Sequence, residues 1–329
     1  MSVVFPFVVG CNRSGTTMLR GMLDSHPELA VPPEAYFVVP ILCRADQFRR
    51  GGAPDGPFDG HAFLADLRAR GTFRDVWALP DPVLDALEAE WEPQDVPEAL
   101  TDLYASYATQ HGKSRYADKT PQHVMHIDRL AGCFPQARFV HLVRDGRDVV
   151  PSLLDYPHGP KRFADAVEYW RYRVRAGLRA GAALSPDRYR EIRYEALVDD
   201  PEAVLRDLCD FIELQYRPEM LGYHDRAGEL LVGAFDPGHH HNISRPPTKG
   251  IRNWRVSLSP RQVQLFEVLA GDLLDELGYE RSGLEPSAAV RAEAGFANAR
   301  RHARTRVEAL RRRATAPIRG PFSSGAPRS

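Results

Sequence analysis

The stretch that decides the fold is FVVGCNRSGTT, from Phe7 to Thr17. It begins with apolar residues typical of a buried strand, turns at Gly10, and favours a helix that starts near Gly15. The backbone N–H groups of such a turn converge on one point, where the helix dipole adds positive potential. The stretch therefore predicts an anion-binding loop between a strand and a helix.

The loop differs at one position from the phosphate-binding loop of nucleoside triphosphatases. Its glycines have the spacing of a P-loop, but Thr16 stands in the lysine position. Because that lysine spans the β- and γ-phosphates, its absence argues against triphosphate hydrolysis, and Arg13 can replace the charge. The alternative is a plain glycine turn. The predicted anion-binding residues of the loop are Arg13, Ser14, Gly15, Thr16 and Thr17.

Composition limits the function classes. The 329 residues are 43% hydrophobic and 26% charged, which is typical of a globular protein. Lys+Arg 43 against Asp+Glu 44 gives a net charge of -1, so general attraction to nucleic acid is excluded. The four cysteines are widely spaced and are predicted to be reduced thiols. The N-terminal apolar run leads into the glycine loop and predicts a strand, not a signal, so we expect a cytoplasmic protein.

Four short β-rich runs alternate with helix-length segments. They begin at Val3, Ser114, Ala137 and Arg188. Strands separated by helices predict a parallel sheet with right-handed crossovers. The predicted fold class is α/β, with a P-loop-type central parallel sheet flanked by helices.

The remaining segments predict the domain organisation. Residues 44–113 have helical periodicity and form a predicted insertion that walls the substrate side, within a domain of residues 1–285. An irregular loop covers residues 228–250, and its run of His239 to His241 is predicted to be a flexible substrate-side loop, not a metal site. Residues 286–329 form an Arg-rich tail, helical and then disordered, predicted to be a solvated appendage in preference to a membrane-surface contact. The oligomeric state is not predicted.

A second anion site is predicted in FVHLVRDGRDVVPSLL. Arg144 lies where the strand ends, and Ser152 lies eight positions on, roughly two helical turns away. Ligands bind beyond the carboxyl ends of parallel strands, where the glycine loop also lies. Two anion sites at one edge indicate a nucleotide phosphorylated at two places. The alternative is a solvated cluster of charges formed by Arg144, Asp145, Arg147 and Asp148.

With these motifs the chain resembles the sulfotransferase family, which uses 3′-phosphoadenosine 5′-phosphosulfate as its donor. RSGTT resembles the family's 5′-phosphosulfate loop, and LVRDGRDVVPSLL resembles its 3′-phosphate motif. The tyrosylprotein branch is the most similar, through RSGTTMLRGMLDSHPEL, DKTPQ and FPQARFVHLVRDGR, and the resemblance extends from Phe7 to Tyr279. It implies transfer of a sulfuryl group to a hydroxyl, with no required metal and with adenosine 3′,5′-bisphosphate as the product.

The resemblance also implies catalytic residues. Lys119 matches a lysine that contacts the donor, and Arg13 lies in the loop that stabilises the leaving group. The histidine base of the cytosolic branch is absent, because Pro121 occupies its position. Glu34 matches the glutamate base of the tyrosylprotein branch, although its neighbours differ, which puts tyrosine-peptide specificity in doubt. The alternatives are that Glu34 caps a helix near Ala35 and that Lys119 is an exposed lysine at a strand end.

Further donor contacts are implied near the end of the matched region. These are Tyr194 near the adenine, and Ser244, Lys249 and Gly250 in or beside a closing segment. The expected acceptor is a cytosolic small molecule, a glycoside or a lipid-linked precursor with a hydroxyl group. Two other function classes stay open: a P-loop kinase of a small molecule, and a non-catalytic nucleotide-binding protein.

Overall fold

The centre of the fold is a four-stranded parallel sheet with the order β4-β1-β5-β6. The structure is a computed structural model and describes residues 3–52, 56–71, 73–91, 93–228, 241–248 and 253–315. The strands of the central sheet are β1 (Phe5–Gly10), β4 (Asp118–Lys119), β5 (Ala137–Val143) and β6 (Tyr189–Arg193). The predicted α/β class with a central parallel sheet is confirmed.

The run from Ser114 contains two short strands in two sheets. Strand β3 (Arg115–Tyr116) pairs in parallel with β2 (Leu29–Ala30), a short strand that no sequence pattern predicted. Strand β4 pairs instead with β1, where Asp118 lies opposite Phe7. Between the two strands, the Ala117 N–H bonds the Ala30 carbonyl at 2.9 Å, so the chain passes from one sheet to the other within one residue.

Helices surround the sheet. They are α1 (Thr16–Asp24), α2 (Val38–Leu42), α3 (Gly60–Arg68), α4 (Asp81–Glu90), α5 (Val96–Gln110), α6 (Ile127–Cys133), α7 (Gly146–Asp155), α8 (Phe163–Ala182), α9 (Tyr194–Asp199), α10 (Pro201–Phe211), α11 (Trp254–Ser257), α12 (Pro260–Glu276) and α13 (Ala288–Thr315). Shorter 3-10 turns are Ala45–Phe48, Arg50–Gly52, Pro121–Met125, Pro218–Arg226 and His241–Ser244, and Phe73–Trp77 is a π-helix. The periodic runs predicted for residues 44–113 therefore form helices α3, α4 and α5.

Strand β1 separates two apolar cores. Alternate side chains of a strand point to opposite faces, and here Phe7 belongs to one core whereas Val8 belongs to the other. All six residues of β1 are buried, as the continuous apolar run predicts. Burial on both faces fixes β1 in the middle of the sheet, so the loop that follows it lies at the centre of the carboxyl edge.

The chain divides into two compact units, Met1–Leu258 and Ser259–Ser329. The first contains the sheet and every predicted site residue. In the second, α12 begins with a capping box in which Ser259 and Gln262 bond each other's backbone N–H groups, and α12 packs on α13. The predicted boundary after residue 285 stays a prediction. None of the helices in the described ranges has the length and apolarity needed to cross a membrane.

Candidate active site

The loop after β1 has the backbone that an anion site requires. Gly10 has a φ of +156°, and a Cβ at this position would lie 2.6 Å from the Leu142 carbonyl oxygen of β5. Arg13 adopts a φ of 72°, and Gly15 a φ of 97° immediately before α1 begins. Residues in these left-handed conformations turn successive N–H groups toward one concavity. The loop thus opens at the N-terminus of α1, as predicted.

Side chains of the loop add polar atoms to this concavity. Ser14 is fully buried, and its Oγ has no hydrogen-bond partner among the residues that the structure describes. Thr16 is also buried, whereas Thr17 is half-buried. A buried hydroxyl without a partner is costly in a folded protein unless a ligand satisfies it. The unpartnered Ser14 hydroxyl therefore fits a loop that binds phosphate or sulfate oxygens.

One hydrogen bond joins the two predicted anion motifs. The Nε of Arg13 donates to the Oγ of Ser152 on α7 at 2.8 Å. On another side, the Arg13 guanidinium lies 5.9 Å from the ring centre of Tyr156. The glycine loop and the helix after β5 therefore form one site.

Arg144 is held at this site by an aromatic ring. Its guanidinium lies 4.0 Å from the ring centre of Tyr194, and the side chain is 8% exposed. The same ring covers Gly15, where a Cβ would lie 2.5 Å from Tyr194 Cδ2. Within the described chain, the Arg144 Nε has no hydrogen-bond partner. A buried guanidinium with an unused donor fits the predicted phosphate contact, while the predicted contact of Tyr194 with adenine stays a prediction.

The charges that follow β5 do not form a solvated cluster, so that alternative is wrong. Asp145 and Arg147 are buried and paired at 2.7 Å. Asp148 accepts a hydrogen bond from the Trp254 N–H at 2.7 Å and lies 3.8 Å from Arg144. Burial raises the pKa of Asp148 to about 6, against the opposing effect of Arg144. These charged side chains are shielded from solvent because they lie between α7, Trp254 and the edge of the sheet.

Glu34 and Lys119 meet in the structure. The Nζ of Lys119 donates to Glu34 Oε1 at 2.6 Å, and the Tyr36 hydroxyl donates to Glu34 Oε2. Helix α2 starts only at Val38 and has no side-chain cap, so the capping alternative for Glu34 is wrong. The Lys119 side chain is 4% exposed, so it is not an exposed strand-end lysine either. Burial lowers the pKa of Lys119, and the charge of Glu34 opposes that shift.

A buried polar network supports this pair from behind. Asp118 is fully buried and accepts hydrogen bonds from Tyr104 at 2.6 Å and from Thr120 at 3.0 Å, and it contacts His123 Nδ1 at 2.9 Å. Thr120 in turn accepts the N–H of Ala35 at 2.8 Å. The network ties the residues on either side of Lys119 to the residue that follows Glu34. Sequence reasoning missed it, since no spacing signals that these side chains meet.

Residues 7–218 match the sequence profile described as the Sulfotransferase family. The chain belongs to the sulfotransferase family. Over 292 residues it is 24% identical to protein-tyrosine sulfotransferase 1 of Danio rerio, covering 85% of this chain and 74% of that protein.

Two solved structures that are similar to this chain are also sulfotransferase domains. The sulfotransferase domain from the Synechococcus PCC 7002 olefin synthase is 25% identical with a TM-score of 0.57, covering 84% of this chain and 94% of that domain. The sulfotransferase domain from the curacin biosynthetic pathway is 22% identical with a TM-score of 0.58, covering 85% and 99%, and shares the fold. This chain is therefore a sulfotransferase, and the predicted family and reaction class are confirmed.

Other predicted residues lie in the segment that follows Pro218–Arg226, part of which is outside the described ranges. Ser244 is exposed at the end of a 3-10 turn, whereas Lys249 and Gly250 lie outside the described residues, as do His239 and His240. In the described part of the chain no group of three or more His, Cys, Asp or Glu side chains could hold a metal ion. The predicted donor contacts of these residues stay predictions.

Proposed function

We propose that this sulfotransferase transfers a sulfuryl group from 3′-phosphoadenosine 5′-phosphosulfate to a hydroxyl group, with Glu34 as the general base. One observation carries the proposal. The bond from Arg13 to Ser152 brings the glycine loop and the helix after β5 into one site, which suits a nucleotide with phosphates at both ends of its ribose.

The donor fits the polar atoms that the structure leaves unpaired. Ser14 Oγ and Arg144 Nε are both buried and have no partner in the described chain. We assign the loop residues and Arg13 to the phosphosulfate, and Arg144 and Ser152 to the 3′-phosphate. When bound, this donor supplies an activated sulfuryl group with adenosine 3′,5′-bisphosphate as the leaving group.

The protein's own residues handle the proton and the charge. Glu34 lies at the partly exposed side of the ion pair, with its side chain 19% exposed, so an acceptor can reach it. The carboxylate takes the proton of the acceptor hydroxyl, and Lys119 keeps that carboxylate oriented while it does so. Arg13 adds positive charge where negative charge develops on the leaving oxygen.

The acceptor carries a hydroxyl, and we propose a small molecule, a glycoside or a lipid-linked precursor in the cytoplasm. In the resembling tyrosylprotein branch the glutamate base lies beside a second glutamate. Glu34 lies between Pro33 and Ala35 instead, which supports an acceptor other than a peptide. A protein tyrosine is the second candidate, because the relative from Danio rerio is named a protein-tyrosine sulfotransferase.

A transfer assay with ³⁵S-labelled donor tests the proposal. Purified protein is incubated without added metal with a cytosolic metabolite extract, a lipid extract or a tyrosine peptide library. Labelled product is expected, and Glu34→Gln should reduce turnover by about 10²- to 10⁴-fold while donor binding is retained. Glu28→Gln, at an exposed glutamate, is the matched control and should retain turnover. Unchanged turnover in Glu34→Gln would exclude Glu34 as the base.

A further inference from the structure

Lys119 and Tyr36, two hydrogen-bond donors of different character, both contact the Glu34 carboxylate. Lys119 donates to Oε1 and belongs to the protein's buried interior, with 4% of its side chain exposed. Tyr36 donates to Oε2 and is only half-buried. Of these two partners, the phenol is therefore the one nearer to solvent.

This geometry resembles the one that an acceptor must adopt. A general base has to accept a hydrogen bond from the hydroxyl whose proton it removes. Lys119 already holds Oε1, so Oε2 is the oxygen that faces the approaching hydroxyl. The Tyr36 hydroxyl holds this position in the present structure. Burial, and next the charge of Glu34, raise the pKa of Tyr36, so the phenol keeps its proton and continues to donate.

We propose that Tyr36 occupies the place of the acceptor hydroxyl and must release Glu34 before the acceptor can bind there. The proposal rests on the proposed role of Glu34. Tyr36 is then a specificity-determining residue, because an acceptor has to replace its hydrogen bond and fit beside its ring. No group is transferred to Tyr36 in this scheme. The phenol moves aside, and the carboxylate exchanges one hydroxyl donor for another.

Two other phenols, those of Tyr156 and Tyr169, lie near Tyr36. Tyr156 and Tyr169 both lie close enough to Tyr36 to contribute to its raised pKa, after burial and Glu34. Tyr169 contacts other residues: its hydroxyl donates to Asn12 Oδ1 at 3.0 Å, and its ring centre lies 3.4 Å from the Arg173 guanidinium. The Tyr36 hydroxyl donates to the base, so removal of this hydroxyl should change acceptor binding.

The test uses 4-methylphenol, which is the tyrosine side chain as a free molecule. Its affinity is measured by calorimetry in the presence of saturating adenosine 3′,5′-bisphosphate, for the full chain and for Tyr36→Phe. The variant should bind 4-methylphenol about three- to tenfold more tightly, because no internal hydrogen bond has to be broken. Tyr169→Phe removes an equivalent hydroxyl that bonds Asn12, and its affinity for 4-methylphenol should not rise. Tyr36→Leu is a second variant that should also bind more tightly.

Kinetics supply the second readout. With an acceptor found by the transfer assay, Tyr36→Phe should lower the acceptor KM and leave kcat within about twofold, since the phenol is already displaced in the complex. Equal or weaker binding in Tyr36→Phe, or no binding of 4-methylphenol to any of the proteins, would overturn the proposal. The role of Glu34 as the base is tested separately, by the turnover of Glu34→Gln. The binding experiment with 4-methylphenol does not depend on sulfuryl transfer.

Discussion

The Nε of Arg13 donates a hydrogen bond to the Oγ of Ser152 at 2.8 Å, although 139 positions separate the two residues. Arg13 belongs to the loop after β1, and Ser152 belongs to the helix after β5. Because β1 and β5 are neighbours in a parallel sheet, both segments leave from the same edge. The bond joins two motifs that are distant in the chain at one place, which is the proposed donor site.

Gly15→Ala should weaken both stability and donor binding. A Cβ at Gly15 would lie 2.5 Å from the Tyr194 ring, and that ring holds Arg144 at 4.0 Å. The left-handed backbone costs about 1–2 kcal/mol for alanine, and the overlap with the ring costs about 1–3 kcal/mol more. Urea unfolding measures the first effect, and titration with adenosine 3′,5′-bisphosphate measures the second.

Gly112→Ala is the matched control for this variant. Gly112 also has a positive φ of +69°, but a Cβ there would meet nothing within 4 Å. Gly112→Ala should lower the free energy of unfolding only through its left-handed backbone, and it should leave bisphosphate binding unchanged. Equal losses of stability in the two variants would contradict the role given to Tyr194.

Asp148→Asn should tighten bisphosphate binding at neutral pH. Asp148 lies 3.8 Å from Arg144, and burial raises its pKa to about 6, so the carboxylate is charged at pH 7.5 and neutral at pH 5. Its charge then repels a phosphate bound by Arg144, an effect of about 1 kcal/mol or about fivefold in affinity. The amide of asparagine can still accept the Trp254 N–H.

The pH dependence of this effect has a defined sign. The affinity ratio between Asp148→Asn and the parent should be near one at pH 5 and about five at pH 7.5. Because the folded-state pKa is raised, the free energy of unfolding contributed by Asp148 also falls as the pH rises through about 6. The affinities of both proteins are measured by calorimetry at the two pH values. Protonation of the ligand affects both proteins equally, so it does not change their affinity ratio. An equal ratio at both pH values would show that Asp148 does not act through its charge.

Thr120→Val should impair the site through the network behind Glu34. The Thr120 hydroxyl accepts the Ala35 N–H at 2.8 Å and donates to Asp118 at 3.0 Å, and valine leaves both buried groups without this partner. The free energy of unfolding should fall by about 1–3 kcal/mol, and turnover should fall because Ala35 directly follows Glu34. Thr101→Val, which removes only a bond to the Pro97 carbonyl within α5, should cost much less. Similar losses in the two variants would argue against the network.

Much of this site could be predicted from the sequence, because its motifs are local. The turn at Gly10, the helix that follows it and the strand before Arg144 depend on neighbouring residues, and Ser152 follows from helical periodicity. The separate roles of Glu34 and Lys119 were expected only through a family resemblance, and their ion pair was not predicted, since 85 positions separate the two residues. A contact of that kind depends on how strand β4 packs, and no local pattern encodes it.

The remaining contacts depend on burial that only the fold shows. The hydrogen bond from Tyr36 to Glu34 was not predicted from the sequence. The charges around Asp145 looked solvated in the sequence, where Asp and Arg alternate. They are buried because Trp254 and α7 cover them, and Trp254 lies more than 100 positions further along the chain.

Calorimetric titration without added metal tests the central claim most directly, that the two anion motifs bind one bisphosphate nucleotide. Adenosine 3′,5′-bisphosphate, adenosine 5′-phosphate and ATP are compared on the parent protein and on Arg144→Ala. We predict that the bisphosphate binds most tightly, and that Arg144→Ala weakens it about 10- to 100-fold, toward the affinity of the monophosphate. Binding of ATP as tight as that of the bisphosphate, or bisphosphate binding unchanged by Arg144→Ala, would contradict the account.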